Sequence, residues 1–538
     1  MKKITLIIFV LAITINYAQT TITATIPFQG YDESQAFLGQ GEYQIFLDNV
    51  DGVLDKPIFL IDGYDPTDTR DIAGMYSQLD FNGSNLGDTL RDEGFDMVML
   101  NFPVYTRPSD ATEIDGGSDY IQRNAMVLVE LINQINAQKT GNQPLVMVAP
   151  SMGGLIARYA LRYMEENNLN HDTRLYISWD TPHLGANMPI EMQYFLNYVA
   201  ESQNNTDLQN MVNATLNSPA SKEMLLDHYK PHLQTSSTFE QDPNSLLPVG
   251  FINFRDAFQT ELNTMGFPQN TRNVAIANGS DNGTTTGTPG MEIINHTFDL
   301  GNDITADLTL HFTPSAGQTN EVTRVEVVYL GFIPVSTYVA NAQSFTYTDG
   351  LDSAPGGKYN LQSFTNAASA DPLLQEFVAN LQQSEFCFIP TLSALAIDNE
   401  TDWYAVPDIG GAHNSPFVAW SITNNNEDHV TLNQQNVDFT LNEIRNGVVA
   451  TEETTINYSF KLLQNPIKDN ITLLVKDALK HQDLDIEVLS VTGKHILNKK
   501  ITANNYKIEI PVTLENGVYF LNVSTAKTKF STKLIVNE

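Results

Sequence analysis

The spacing of apolar residues changes several times along the chain, and each change marks a different kind of element. Short apolar runs at 57–61, 145–149 and 175–179 are bounded by Gly, Pro, Asp and Asn, which is typical of buried strands. Apolar residues between 121 and 135 recur at helical spacing, so a helix is predicted before the second run. Strands that alternate with helices in this way predict an α/β fold with one parallel sheet.

The pattern changes again in the second half of the chain. Residues 188–232 carry apolar positions at helical spacing, and 273–281 is interpreted as a further buried strand that ends in a turn with a carboxylate. From 291 to 349 the period becomes two, which predicts an antiparallel β insertion. Short strands with turn signals fill 459–538, which favours a small all-β sandwich after the α/β domain.

Length and charge divide the chain at about the same place. A chain of 538 residues is too long for one compact domain. Residues 459–538 hold 11 Lys and 8 acidic residues, whereas the preceding chain holds 18 Lys and Arg against 55 acids. The polar segment 446–458, rich in Thr and Glu, is predicted to be a linker. The chain before residue 459 is so acidic that nucleic acid and anionic lipid are not expected as partners, since both would repel it.

The N-terminus predicts export. Lys2 and Lys3 precede an apolar run from 4 to 13 and a small-residue site near Ala18, so residues 1–18 are interpreted as a secretory signal peptide. No other stretch is long and apolar enough to predict a transmembrane segment. With Cys387 as the single cysteine, neither an intramolecular disulfide nor a cysteine-based zinc site is expected.

The most informative motif is a serine in a tight turn between a strand and a helix. The apolar run that ends at Pro150 delivers Ser151 into a turn flanked by Gly153, and a helical pattern follows. A nucleophile elbow has this form, because small neighbours let the backbone turn sharply enough to expose the hydroxyl. Ala149 stands where the first glycine of the motif is usual, and it is still small. Ser151 is therefore the candidate nucleophile.

Three segments carry a resemblance to one superfamily. The string SMGGLIARYA resembles the nucleophile segment of lipases and carboxylesterases of the α/β-hydrolase superfamily. Residues 57–66 resemble their first core strand and oxyanion loop, although Asp62 stands where histidine is common. Residues 175–185 are similar to the next strand and its Thr-Pro-His-x-Gly loop. The order of the three segments fits one parallel sheet.

This resemblance implies an α/β-hydrolase catalytic domain over residues 19–445. In lipases a helical cap often follows the strand that carries the Thr-Pro-His loop, so 188–250 is assigned to a cap. An ordinary packing pair of helices is the alternative, and a mobile lid is a hypothesis. The β insertion at 291–349 would lie within the same domain.

Acyl transfer also needs a base and an acid that orients it. His429 lies before a predicted helix at 437–444, a place that resembles the loop before the last helix of lipases. His413 is the alternative base, and His183 is interpreted as structural.

Three carboxylates remain candidates for the acid. Asp281 is preferred because it ends a predicted strand, Asp352 follows the β insertion, and Asp180 follows the strand after the elbow. The family's geometry implies that the backbone N–H groups of Met152 and Tyr64 form the oxyanion hole. No metal or cofactor is predicted, since the mechanism needs none and no ordered run of calcium ligands is present.

The C-terminal region has its own resemblance. Asn465-Pro466, the turn at 492–494, the strand at 517–520 and Lys533 resemble the sorting domain of the type IX secretion system of Bacteroidetes. The resemblance covers 459–538 and implies that the type IX machinery is a partner, which exports the protein to the cell surface or the medium.

Together these features predict a secreted, lipase-like carboxylic ester hydrolase that acts through a Ser-His-Asp triad and an acyl-enzyme. Its substrate would be an ester, with a lipid as one option. The same triad could serve an acyltransferase, an amidase or a polyester hydrolase. A surface-binding module without catalysis is the alternative of another class.

Overall fold

The computed structural model describes residues 19–362, 372–446, 460–462, 467–475, 483–490, 494–502, 507–525 and 529–536. Several predicted features lie outside the described residues, namely the signal peptide at 1–18, the linker from 447 to 458, Asn465, Pro466, Thr492 and Gly493. The chain divides into two compact units, residues 1–447 and 448–538.

The first unit is built on one eight-stranded sheet with the order β1-β2-β4-β3-β5-β6-β7-β8. Strands β3 to β8 run parallel to one another, whereas β2 pairs antiparallel with both β1 and β4 at one edge. The predicted α/β class and parallel sheet are therefore confirmed. The strands are β1 (Thr20–Thr23), β2 (Gln40–Phe46), β3 (Pro57–Ile61), β4 (Asp96–Asn101), β5 (Leu145–Pro150), β6 (Thr173–Trp179), β7 (Arg272–Ser280) and β8 (Ala419–Thr423).

Helices cover both faces of this sheet, which explains why its central strands are apolar throughout. In β3, Ile58 and Leu60 point into one core, with α1, α2 and α11, while Phe59 and Ile61 point into the other, with α3, α4 and α8. The helices are α1 (Ile72–Ser77), α2 (Leu86–Asp92), α3 (Ile121–Gln138), α4 (Met152–Glu166), α5 (Ile190–Ser202), α6 (Thr206–Thr215), α7 (Pro219–Met224), α8 (Arg255–Met265), α9 (Pro372–Ala379), α10 (Thr391–Ala394) and α11 (Gln434–Asn446). Within the described residues, no helix combines the length and the apolar character needed to span a membrane.

Helices α5 to α7 follow β6, and α5 and α6 share a third core with an antiparallel sheet inserted after β7. The hydroxyl of Thr323 in that sheet donates to the carbonyl of Glu191 in α5 at 3.0 Å. The insertion predicted from period-two spacing is thus confirmed. Its four strands, paired in sequence order, are Glu292–Gly301, Ile304–His311, Thr319–Tyr329 and Ile333–Gln343.

Among the described residues, three two-stranded antiparallel pairs complete the first unit. One of them, beside the insertion, brings the chain back to the main sheet before α10. The pairs are Asp80–Phe81 with Ser84–Asn85, Val104–Thr106 with Glu113–Asp115, and Gly356–Asn360 with Glu385–Pro390.

The second unit is an all-β sandwich, as predicted. Its apolar residues alternate along each strand and meet in one core, to which Ile471, Ile486 and Leu521 belong. One sheet contains Phe460–Leu462, Asn470–Val475 and Lys507–Pro511, and the other contains Asp483–Ser490, His495–Thr502, Gly517–Ser524 and Lys529–Val536.

Candidate active site

Ser151 occupies the sharp turn between β5 and α4. Its φ of 53° lies in the left-handed region, which a non-glycine residue adopts only under constraint. The Ser151 N–H donates to the carbonyl of Trp179 at 2.8 Å and ties the turn to β6. A Cβ on Gly153 would lie 2.6 Å from the carbonyl oxygen of Ile61, so this position must be glycine. The turn therefore has the geometry of a nucleophile elbow.

His429 lies in the loop between β8 and α11, and its imidazole reaches Ser151. Nε2 of His429 is 2.8 Å from Ser151 Oγ. The His429 N–H donates to the carbonyl of Lys358 at 2.8 Å, and the ring of Phe388 packs edge-on at 5.0 Å. These contacts from the hairpin at 356–390 fix the ring on one side.

Asp180, directly after β6, contacts the other nitrogen of the same imidazole. Its Oδ2 lies 2.7 Å from His429 Nδ1, and its Oδ1 accepts the N–H of Asn278 at 3.0 Å. Because a carboxylate can only accept, Nδ1 carries the proton and Nε2 accepts from the Ser151 hydroxyl. Asp180 is fully buried, and Gly357 lies so close that a Cβ there would collide with the carboxylate.

The structure changes the order of the three acids. Trp179 in β6 pairs with Ile276 in β7, so Asp281 lies four residues beyond the level of Asp180, up to about 13 Å further along the strand direction. The N–H of Asp281 donates to the carbonyl of Thr423, at the edge next to β8. The carboxylate in contact with His429 is therefore that of Asp180 and not that of Asp281.

Asp352 is occupied elsewhere. Its Oδ1 accepts from Asn187 Nδ2 at 3.0 Å, and its Oδ2 accepts from the N–H and hydroxyl of Thr313 at 2.8 and 2.6 Å. Burial raises the pKa of Asp352 above its ordinary value. This carboxyl group joins the insertion to the loop after β6.

The other two histidines lie away from the serine. His413 accepts the N–H of Asp408 at 3.0 Å in a loop before β8. His183 is fully buried, with Nε2 2.8 Å from Ser178 Oγ, and packs on Phe267. Its contacts are those of a core residue.

The oxyanion loop runs past the elbow at Gly63, where a Cβ would lie 3.1 Å from Ser151 Cβ. Among the described residues, the N–H groups of Met152 and Tyr64 donate to no other backbone group. The Tyr64 hydroxyl reaches the cap, where it donates to the carbonyl of Thr215 at 2.6 Å and lies 2.9 Å from Ser221 Oγ. Burial raises the pKa of Tyr64 to about 12, so the hydroxyl keeps its proton.

A half-buried ion pair supports the same loop. Asp62 Oδ1 accepts from Arg70 Nη2 at 2.6 Å and from the N–H of Gly63 at 2.8 Å. Burial raises the pKa of Asp62 to about 6, although Arg70 opposes that shift. The sequence shows that Asp62 replaces a histidine but does not point to Arg70, because seven residues of loop lie between the two and no local pattern pairs them.

Ser151 and His429 open into a cavity of about 1150 Å³ beneath the cap. Four carboxylates of the described residues line it, those of Asp62, Asp65, Asp80 and Asp428. Of its two cations, Arg70 pairs with Asp62, and Lys358 pairs with Glu385 at 2.8 Å. The apolar wall contains Trp179, Met188, Leu196, Met211, Leu216, Met224, Leu225, Phe386 and Phe388.

No group of three or more His, Cys, Asp or Glu side chains in the described ranges is arranged to hold a metal ion. The polar groups around Ser151 are instead joined to one another by hydrogen bonds.

Comparison with protein families gives two matches. Residues 464–537 match the family described as "Secretion system C-terminal sorting domain", and residues 101–226 match the family described as "Putative serine esterase (DUF676)". The first match confirms the resemblance of the tail and supports export through the type IX secretion system. The second contains Ser151 and Asp180 and supports a hydrolase. Comparison with curated proteins gives no match.

Solved structures similar to this chain include esterases and hydrolases. An a/b serine hydrolase without lid from Xanthomonas campestris is 16% identical with a TM-score of 0.20, covering 31% of this chain and 63% of that chain. Est1E from Butyrivibrio proteoclasticus is 11% identical with a TM-score of 0.19, covering 26% and 47%. A CocE/NonD family hydrolase from Staphylococcus aureus is 11% identical with a TM-score of 0.25, covering 48% and 41%. The chain spans less than two thirds of the length of each.

Proposed function

We propose that this protein is an exported serine hydrolase that cleaves carboxylic esters through Ser151, His429 and Asp180. The observation that carries the proposal is the continuous hydrogen-bonded chain from Ser151 Oγ through the imidazole to Asp180, with distances of 2.8 and 2.7 Å, at the wall of a large cavity. In this order a serine becomes a nucleophile, because the imidazole accepts its proton and the carboxylate holds the imidazole in the required tautomer.

The first half of the reaction forms an acyl-enzyme. Ser151 Oγ attacks the ester carbonyl carbon while its proton moves to His429 Nε2, and the carbonyl oxygen becomes an oxyanion. The N–H groups of Met152 and Tyr64 are assigned as its donors. The tetrahedral intermediate then collapses, the bond to the alcohol oxygen breaks, and His429 returns the proton to that oxygen.

The second half repeats these steps with water. A water molecule gives a proton to His429 and its oxygen attacks the acyl carbon, which forms a second oxyanion in the same position. Collapse breaks the bond to Ser151 Oγ, which recovers the proton, and a carboxylic acid leaves. Asp180 stabilises the imidazolium in both halves without accepting its proton.

The cavity suggests what kind of ester would enter. Its wall beneath the cap is apolar, so an acyl or alcohol part with much apolar surface would be favoured. Its four carboxylates exceed its two cations, and both cations already have acidic partners. Esters that are neutral overall would therefore enter more readily than anionic ones.

The test is hydrolysis of p-nitrophenyl esters from C2 to C16 by the full chain, together with labelling by a fluorophosphonate. Ser151→Ala and His429→Ala should each lower kcat by at least about 10⁴-fold. Asp180→Asn should lower kcat by about 10³–10⁴-fold because the imidazole then takes the wrong tautomer.

Asp281→Asn is the matched control, since it makes the same change at the next strand end. Its kcat should stay within about twofold of the parent. A large loss in Asp281→Asn with little loss in Asp180→Asn would overturn the assignment of the acid. A parent protein that neither hydrolyses the series nor reacts with the fluorophosphonate would overturn the enzyme proposal.

A further inference from the structure

The far end of the inserted sheet exposes large apolar side chains. Of the twelve residues from 326 to 337, all of them described, none is buried. The turn of the first hairpin lies beside that of the second, since the N–H of Leu330 donates to the carbonyl of Asp303 at 2.8 Å. We call the two hairpin ends, residues 300–304 and 329–335, the insertion tip. Its exposed apolar residues are Leu300, Tyr329, Leu330, Phe332, Ile333 and Val335.

The degree of exposure is high for residues of this kind. Phe332 is 75% exposed and Val335 is 58% exposed, and the other four are each at least 40% exposed. Single exposed apolar residues are ordinary on a protein surface, but six at adjacent hairpin ends form a patch, and such patches mark interaction sites.

The turn of the second hairpin is built against local preference. Leu330 and Gly331 have φ values of 54° and 75°, and the N–H of Phe332 donates to the carbonyl of Tyr329 at 3.3 Å. Turns of this kind favour Asn or Gly at the first of these positions, because a bulky side chain is strained there. The neighbouring hairpin obeys the rule, with Asn302 and Asp303 at positive φ. The folding of the turn therefore does not explain why position 330 is leucine.

Charge around the tip limits what could cover it. Residues 291–349 contain seven acidic residues and a single Lys or Arg, Arg324. That side chain pairs with Glu321 and Glu326, each at 2.6 Å. An anionic membrane would be repelled, because binding to such a membrane depends on basic residues near its surface. An uncharged apolar phase carries no such penalty.

A second copy of the chain fits the tip less well. Each copy has a net charge of −34, so two copies repel each other at low salt. One of the two edge strands that reach the tip, Ile333–Gln343, carries Pro334, which lacks an N–H for extending the sheet into a neighbour. A specific protein interface needs roughly 20–30 residues on each side, far more than two hairpin ends offer.

We propose that the insertion tip docks the enzyme on the surface of an uncharged apolar phase, with its six side chains immersed. This proposal rests on the proposed function in one respect only. That function identifies the apolar phase as an insoluble neutral ester, which the tip would meet where the ester borders water. The six side chains are exposed together at the hairpin ends, so they can enter a fluid phase without a complementary pocket.

The test is flotation of the full-chain Ser151→Ala protein with triolein droplets coated with phosphatidylcholine. This variant lacks the nucleophile, so binding is measured without hydrolysis. The tip variant adds Leu330→Asn and Phe332→Thr, and asparagine suits the positive φ at 330, so the hairpin should fold at least as well. The control variant adds Val50→Ser and Ile252→Ser, which change equally exposed apolar residues outside the tip.

We expect the partition coefficient of the tip variant onto droplets to be lower than that of its parent by a factor of about ten or more. The control variant should match the parent. Phosphatidylglycerol in the coat should weaken binding. Hydrolysis of soluble p-nitrophenyl butyrate should be unchanged when the tip substitutions are made with Ser151 intact, which separates this proposal from the catalytic one. Equal binding by the tip and control variants would overturn docking. A tip-dependent dimer in light scattering without droplets would show that the tip binds a second copy of the chain. Binding only to anionic coats would show that it binds an anionic membrane. Either result would overturn the proposal of a neutral phase.

Discussion

Two buried carboxylates near Ser151 have different surroundings. Asp180 receives one hydrogen bond at each oxygen, from His429 and from Asn278. Oδ1 of Asp62 accepts hydrogen bonds from Arg70 and from the N–H of Gly63, whereas its buried Oδ2 has no partner among the described residues. A buried charge that is only partly satisfied raises the cost of ionisation. Asp62 therefore contributes a pH dependence to stability.

The sign of that dependence follows from the direction of the shift. The pKa of Asp62 is about 6 in the folded protein against an ordinary 3.8, so the folded state binds more protons between these values. Asp62 thus lowers the free energy of unfolding as the pH rises through this window. In Asp62→Asn the effect is absent. Relative to the parent, the variant should gain on the order of 3 kcal/mol in free energy of unfolding between about pH 4 and pH 7.

Urea denaturation followed by tryptophan fluorescence at the two pH values measures this gain. Asp281→Asn makes the same change of charge after β7 and should show little pH-dependent gain in free energy of unfolding. A difference between Asp62→Asn and the parent that stays constant from pH 4 to pH 7 would contradict the shift.

The oxyanion loop and the cap are joined by one side chain. The Tyr64 hydroxyl donates to the carbonyl of Thr215 at the end of α6 and contacts Ser221 in α7. The N–H of the same residue is an assigned oxyanion donor, so the position of the cap and the geometry of the oxyanion hole depend on each other. The cap therefore both covers the cavity and supports the oxyanion loop.

Removing this hydroxyl should affect the reaction more than binding. Tyr64→Phe removes the hydrogen bonds that tie the oxyanion loop to Thr215 and Ser221, at a cost of about 0.5–1.5 kcal/mol each, and frees the loop. We expect kcat to fall about tenfold with KM within about twofold, because the oxyanion forms only after the substrate binds. Steady-state kinetics on p-nitrophenyl butyrate measures both constants.

Tyr76→Phe is the matched control, since its hydroxyl donates to Asp88 away from the cavity. A fall in kcat of equal size in the two variants would show that the loss comes from general destabilisation. An unchanged kcat in Tyr64→Phe would remove the coupling between cap and loop.

The sequence predicted elements whose signals are local. The elbow needs Ser151 and Gly153 within one turn, and the inserted sheet shows its period within each strand. The acid could not be chosen in the same way, because the choice depends on how β6 and β7 are paired. Residues 179 and 276 lie side by side although almost a hundred residues separate them. Gly357 and Asn278, which enclose Asp180, gave no local signal either.

The molecule consists of two units with different charge and different expected tasks. The unit at 1–447 holds the candidate site, and the unit at 448–538 contains the match to the sorting domain. The second unit has its own core, formed by residues such as Ile486 and Leu521. Export and hydrolysis should therefore be separable.

Ending the chain at Gly447 tests this separation. The purified short chain should hydrolyse p-nitrophenyl butyrate with a kcat within about twofold of the full chain, since every assigned group lies before residue 447. Expressed in a host with a type IX system, it should be absent from the medium and the cell surface, as measured by immunoblotting. Normal export of the short chain would contradict the sorting role.

The hydrogen-bonded chain at the site also sets an order in time. Ser151 and His429 are 278 positions apart, and the cap and the inserted sheet are synthesised between them. A nascent chain that has reached residue 400, or a fragment cut before residue 429, holds the nucleophile without its base. Under the proposed mechanism, a half-made or degraded chain cannot attack the esters of the cell that produces it, and hydrolysis begins only when the first unit is complete.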